Sequence, residues 1–141
     1  MTTTTNSVLS DDLLKRCMER APGYDRDNKF FDEDFKELKE AGYLLAAVPK
    51  ELGGLGLNLA QVMQEQRRLA YHAAPTALAV NVHFYWTGLA ADVWRSGDMS
   101  TEWMLKAAVE GDIFAAGHAE GGNDIPVLLS TTNAEKVDGG S

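Results

Sequence analysis

Glu120 and Asp124 stand in one glycine-containing turn, His118-Ala119-Glu120-Gly121-Gly122-Asn123-Asp124. Two carboxylates so placed can divide acid and base work between them. Turn acids also cap backbone amides or face solvent, and the spacing alone does not separate these readings. The histidines His72, His83 and His118 share no metal-ligand spacing, and neither His-x-x-x-His nor His-Glu-x-x-His occurs, so no metal site is expected. His72 and His83 fall in helical stretches and are read as packed or hydrogen-bonded side chains. Gly53, Gly54 and Gly56 form neither Gly-x-Gly-x-x-Gly nor a P-loop, so a phosphate cradle is not expected there. Trp86, Trp94 and Trp103 have no basic residues interleaved and read as core rather than as a base-stacking platform. Cys17 shares an apolar face with Leu13, Leu14 and Met18, which makes it a core residue rather than a nucleophile. No Ser/His/Asp constellation or nucleophile elbow is present.

These residues must be positioned by an almost wholly helical scaffold. Ser10 caps a first helix whose opening turn carries Asp11 and Asp12, and Pro22-Gly23 is expected to end it near Ala21. A second helix runs from Asp32 to Gly42, with Phe35, Leu38 and Ala41 on its apolar face. The apolar run Tyr43 to Val48 fits a buried strand or buried coil before Pro49 stops it. Asn58 and Gln61 predict a capping box, with Leu57 and Val62 as its staple, at the start of a third helix. A fourth helix is expected from Pro75 to about Trp94, and a fifth from Ser100 to Glu110. The fourth runs through an uncharged stretch and is expected to be the most buried element, with Leu78, Val82 and Leu89 covered, packed on Leu59, Val62, Met63 and Leu69. Beyond it the pattern changes: Ile113 to Ala116 reads as a short strand, Val127 to Val137 as another, and Asp138-Gly139 as a hairpin turn. The expected organisation is a disordered tail over 1–9, a helical domain over 10–112, and the truncated start of a β domain over 113–141.

Composition narrows the function classes. The 141 residues carry 13 Lys+Arg against 21 Asp+Glu, a formal net charge of −8, which opposes binding to nucleic acid or to an anionic membrane surface. Leu69 to Ala91 gives 23 residues without a charge, long enough to span a bilayer. His72, Pro75, Asn81 and His83 within it favour a buried helix in a water-soluble fold instead. One cysteine cannot form an internal disulfide, and the threonine-rich start is neither a secretory signal nor a transit peptide, so a cytoplasmic location is expected.

The order of these features resembles the acyl-CoA dehydrogenase family. Ala41-Gly42-Tyr43-Leu44-Leu45 and Val48-Pro49-Lys50-Glu51-Leu52-Gly53-Gly54-Leu55-Gly56-Leu57 resemble its N-terminal helical signature. Glu110-Gly111-Asp112, followed by a short strand and the Ala-Glu-Gly-Gly-Asn-Asp turn, resembles the point where that family passes into its flavin-binding β barrel. The resemblance covers roughly residues 10 to 141. It implies a mainly α chain: the N-terminal helical domain followed by the first strands of a truncated β-barrel domain. It also implies FAD, with FMN as the alternative, and a homotetramer when full length. By the same resemblance the flavin is lined by Ala116, Gly117, His118, Ala119, Glu120, Gly121, Gly122 and Asn123, and Asn123 lies near the substrate. The family's base belongs to a C-terminal bundle, so no catalytic residue is assigned in these 141 residues.

The turn departs from the family pattern. Ala119-Glu120-Gly121 replaces the common Thr-Glu-Pro, Asn123 stands where a serine is frequent, and the turn is two residues shorter. The leading expectation is an acyl-CoA dehydrogenase-like flavoenzyme that removes α and β hydrogens from a thioester, with an electron-transfer flavoprotein as partner. The alternative is a flavin-dependent monooxygenase of the same fold, served by a flavin reductase and acting on an aromatic or sulfur compound. A non-enzymatic helical interaction module is the reading from a different class. In either enzyme reading the 141 residues alone are expected to be inactive.

Overall fold

The computed structural model describes residues 7–117 together with 133 and 135. Five α-helices carry the fold: α1 (Asp11–Asp27), α2 (Asp32–Glu40), α3 (Leu59–His72), α4 (Ala74–Arg95) and α5 (Glu102–Glu110). Single 3-10 turns cover Tyr43–Leu45, Lys50–Leu52 and Met99–Thr101. Ser10 caps α1 by accepting the Leu13 amide, and Asn58 and Gln61 form the capping box at α3.

Helix α1 passes through Pro22 and ends six residues later than the sequence suggests, capped by Asn28 in the left-handed region at φ 46°. Proline removes a single ladder hydrogen bond. Pro22 lies on the solvent side, where water can take the freed carbonyl. The tail expected over 1–9 is also ordered at its end. Leu9 is fully buried and donates its amide to Glu65, whose carboxylate accepts from Ser7 as well. Residues 1–6 lie outside the described residues.

Two hydrophobic clusters form the interior. The larger joins Leu13, Leu14, Cys17, Leu38, Tyr43, Leu69 and Phe84, drawn from α1 to α4. The smaller is built on Val48, Ala90, Ala91, Leu105 and Ala108, where alanines let α4 and α5 approach closely. Between them, the signature run folds back on itself. Leu55 and Leu57 donate to the Leu45 and Ala46 carbonyls, and Gly56 donates to Val48. A Cβ on Gly54 would stand 2.2 Å from the Val48 carbonyl oxygen, so this close backbone approach requires glycine.

Helix α4 differs from expectation. Its inner face buries Ala77, Val80, His83, Phe84, Thr87, Ala90 and Ala91. Leu78 is 73% exposed and Leu89 48%, while Val82 is half-buried. Leu59 and Met63 of α3 are exposed beside them. Helices α3 and α5 and the Tyr43–Leu45 turn contact α4. They leave one apolar stripe of it uncovered. Absence of charge therefore did not mean cover on every side. Among the described residues, no helix is long and apolar enough to cross a membrane.

Candidate functional site

The described chain reaches the predicted cofactor-lining segment only at its first two residues. Ala116 and Gly117 are exposed, and His118, Ala119, Glu120, Gly121, Gly122 and Asn123 lie outside the described residues. The second strand and the hairpin expected beyond Val127 fall outside them too, apart from the isolated positions 133 and 135.

Residues 113–117 form no strand. A strand needs a neighbour to accept and donate along its edge. Among the described residues, two side chains of α4 take that role. The Phe114 amide donates to Nδ1 of His83 at 3.3 Å, and the indole of Trp86 donates to the Ala115 carbonyl at 3.1 Å. The Phe114 ring stacks on the His83 imidazole, with centroids 6.0 Å apart and planes 12° apart, and meets the edge of Trp103. The opposite nitrogen, Nε2, donates to the Leu44 carbonyl at 2.9 Å. Those two partners fix one neutral tautomer. Burial pushes the His83 pKa below its ordinary value, against a smaller upward pull from the Leu44 carbonyl, and no charged neighbour contributes.

Sequence reading placed His83 as a packed, hydrogen-bonded side chain, and so it is; it missed what His83 and Trp86 hold. Their targets lie 31 and 29 residues away. The only local hint is a pair of polar-tipped rings three apart on the uncharged stretch of the helix.

The remaining polar clusters are structural. Asp34 is fully buried and accepts from Arg20 Nε at 2.7 Å and from Thr76 Oγ1 at 3.0 Å. Glu37 accepts from Arg16 and Arg20, and the Arg16 hydrogen bond first, then Arg20, holds its pKa below the usual carboxylate range. The Cys17 thiol beside them is pushed up to about 11 by burial and by Asp34, which opposes nucleophilic use near neutral pH. Tyr43 donates to Gln66, which in turn donates to the Ala77 carbonyl and Asn81. Among the described residues no group of His, Cys, Asp and Glu could hold a metal ion.

Five helices in this order, the glycine-locked signature turn and an exit segment docked on α4 define an N-terminal helical domain. The acyl-CoA dehydrogenase N-terminal domain matches residues 10–98, and the chain belongs to the acyl-CoA dehydrogenase family. It is also similar to L-evernosamine nitrososynthase of Micromonospora, 30% identical over 132 residues that span 90% of this chain and 31% of that protein. An amino sugar nitrososynthase of Streptomyces peucetius is 32% identical, over 86% of this chain and 32% of its own length. Another, from Streptomyces rubradiris, is 33% identical over 78% of this chain and 27% of its length. The chain thus spans about a third of the length of these relatives. No solved structure matches it.

Proposed function

We propose that this chain is the N-terminal part of a flavin-dependent oxidoreductase that uses oxygen to oxidise the amine of an amino sugar. The observation that carries this reading is the likeness of nearly the whole chain to proteins named for making nitroso products from amino sugars. The departures at Ala119 and Asn123 favour the same direction, because a thioester site loses two hydroxyl partners there. This reading replaces the aromatic or sulfur substrate expected for the monooxygenase branch with an amine.

The cofactor is FAD, and its wall runs from Ala116 through Asn123. Ala116 and Gly117 fit that role: both are exposed, neither bears more than a methyl group, and among the described residues a Cβ on Gly117 would meet nothing within 4 Å. A flat ring can lie against such a backbone. When bound, reduced flavin with O2 supplies an oxygen atom to the amine nitrogen, the second oxygen leaving as water. Within the chain described, the task is positional: the helical domain presents the exit segment. A flavin reductase supplies the electrons, and the full protein is a homotetramer.

The family match favours one second reading, α,β-dehydrogenation of an acyl-CoA with an electron-transfer flavoprotein as acceptor. Anaerobic titration of the full-length holoenzyme with acyl-CoA thioesters separates the two. Under the amine reading the flavin stays oxidised, whereas reductase, oxygen and an amino sugar yield a hydroxylamine or nitroso product detectable by mass spectrometry. Rapid bleaching by a common thioester returns the protein to the dehydrogenase reading. Extraction of the bound cofactor distinguishes FAD from FMN.

A further inference from the structure

We propose that His83 is a positioning residue for the cofactor wall: with Trp86 it clamps the backbone at Phe114 and Ala115, and so sets the register of the residues that follow. The proposal rests on the flavin reading above, since it assigns a purpose to the geometry at the point where the wall begins.

Three observations carry it. First, the imidazole bridges two distant pieces of chain, taking the Phe114 amide on Nδ1 and giving Nε2–H to the Leu44 carbonyl. Leu44 belongs to the Ala41–Leu45 part of the signature, so the ring ties that stretch to the exit segment. Second, the hydrogen bonds from His83 and Trp86 reach adjacent residues, one an amide and one a carbonyl. Two contacts on adjacent residues fix both the position of a segment and its rotation about its own axis, which neither fixes alone. Third, His83 is 1% exposed and lies against the Phe84 and Phe114 rings, which shield its nitrogens from solvent. From Phe114 to Ala116 is two residues, too short a run of backbone to absorb a change of register.

The two nitrogens can be tested separately, because Asn places a polar atom where Nδ1 stands and Gln where Nε2 stands. His83→Asn keeps an acceptor for Phe114 and gives up Leu44; His83→Gln keeps Leu44 and gives up Phe114. Both are made in the full chain, and FAD affinity is read by recovery of flavin fluorescence beside the thermal midpoint. A positioning role predicts that His83→Gln weakens FAD binding about three- to tenfold, the range of one lost hydrogen bond, while His83→Asn rescues it at a similar or lower midpoint. Trp86→Phe falls on the weakened side. If FAD affinity follows the thermal midpoint in both His83 variants, or if His83→Gln binds as the wild type does, the proposal is overturned. Should the wild-type chain bind no flavin, the flavin reading fails and the clamp is judged by hydrogen exchange over residues 113–117. Faster exchange there in His83→Gln than in His83→Asn sustains the clamp, and equal exchange removes it.

Discussion

Where α1, α2 and the start of α4 meet, the interior is closed by charge: buried Asp34 takes Arg20 and Thr76, and Arg20 reaches on to Glu37. Where α4, α5 and the exit segment meet, closure is by neutral hydrogen bonds and stacked rings around His83, Trp86 and Phe114. The ionic end joins three helices to one another. The neutral end holds the exit segment, which leads to the residues proposed above to line the flavin. A charged clamp beside a reacting amine or flavin would impose a field on the chemistry. Neutral hydrogen bonds and rings give positional control without one.

The largest effect should come from breaking the ionic end. Asp34→Ala removes the buried carboxylate that Arg20 and Thr76 share, leaves Arg20 with Glu37, and is expected to cost about 3 kcal/mol in urea unfolding. A loss below about 1 kcal/mol would mean that Asp34 contributes no more than an exposed carboxylate. At the neutral end, Gly54→Ala forces a methyl group onto the Val48 carbonyl, and a loss of about 1–3 kcal/mol is expected, because the small alanine-lined core has little room to yield.

The two ends should also separate by pH. His83 is held below its ordinary value of 6.5, so the unfolded chain takes up a proton first as the solution becomes acidic. Its contribution is complete above 6.5 and declines as pH falls toward the lowered value. Glu37 is held below 4.5, so its contribution is present above that value and is lost only as pH falls further. Unfolding midpoints measured from neutral pH into acid should therefore decline in two stages. His83→Asn should flatten the first stage and leave the second. A single decline below pH 4.5, unchanged by that substitution, would contradict the assignment.

The smallest effect should come from an ion pair of the same types in the open. Lys36 and Glu40 stand 4.0 Å apart on the exposed face of α2, and Lys36→Gln is expected to change stability by less than about 0.5 kcal/mol. A larger loss would make exposure a poor guide to what the charges of this chain contribute.

What could be read from the sequence was local. The Asn58–Gln61 capping box spans four residues, and its chemistry is complete within them. The glycine-rich signature announced a tight turn, and Gly54 sits where a methyl group has no space. Pro22 misled because its cost depends on which side of α1 it occupies, which a linear pattern does not specify. Leu78 and Leu89 misled because the absence of charge records what a face can tolerate, not what covers it. The clamp on the exit segment was invisible for a third reason. Its partners meet only after α4 and α5 have packed, and nothing near Phe114 signals that a histidine 31 residues earlier will receive its amide.

Cys17 offers an internal clock. It is the one cysteine of the chain, fully buried, with its thiol raised to about 11. An alkylating reagent can reach it only when α1 lifts away from Leu38 and Leu69, neighbours in the same core. Its labelling rate therefore counts openings of the larger core with no residue changed. Because the Asp34 network closes that same core, the clock should run faster in Asp34→Ala.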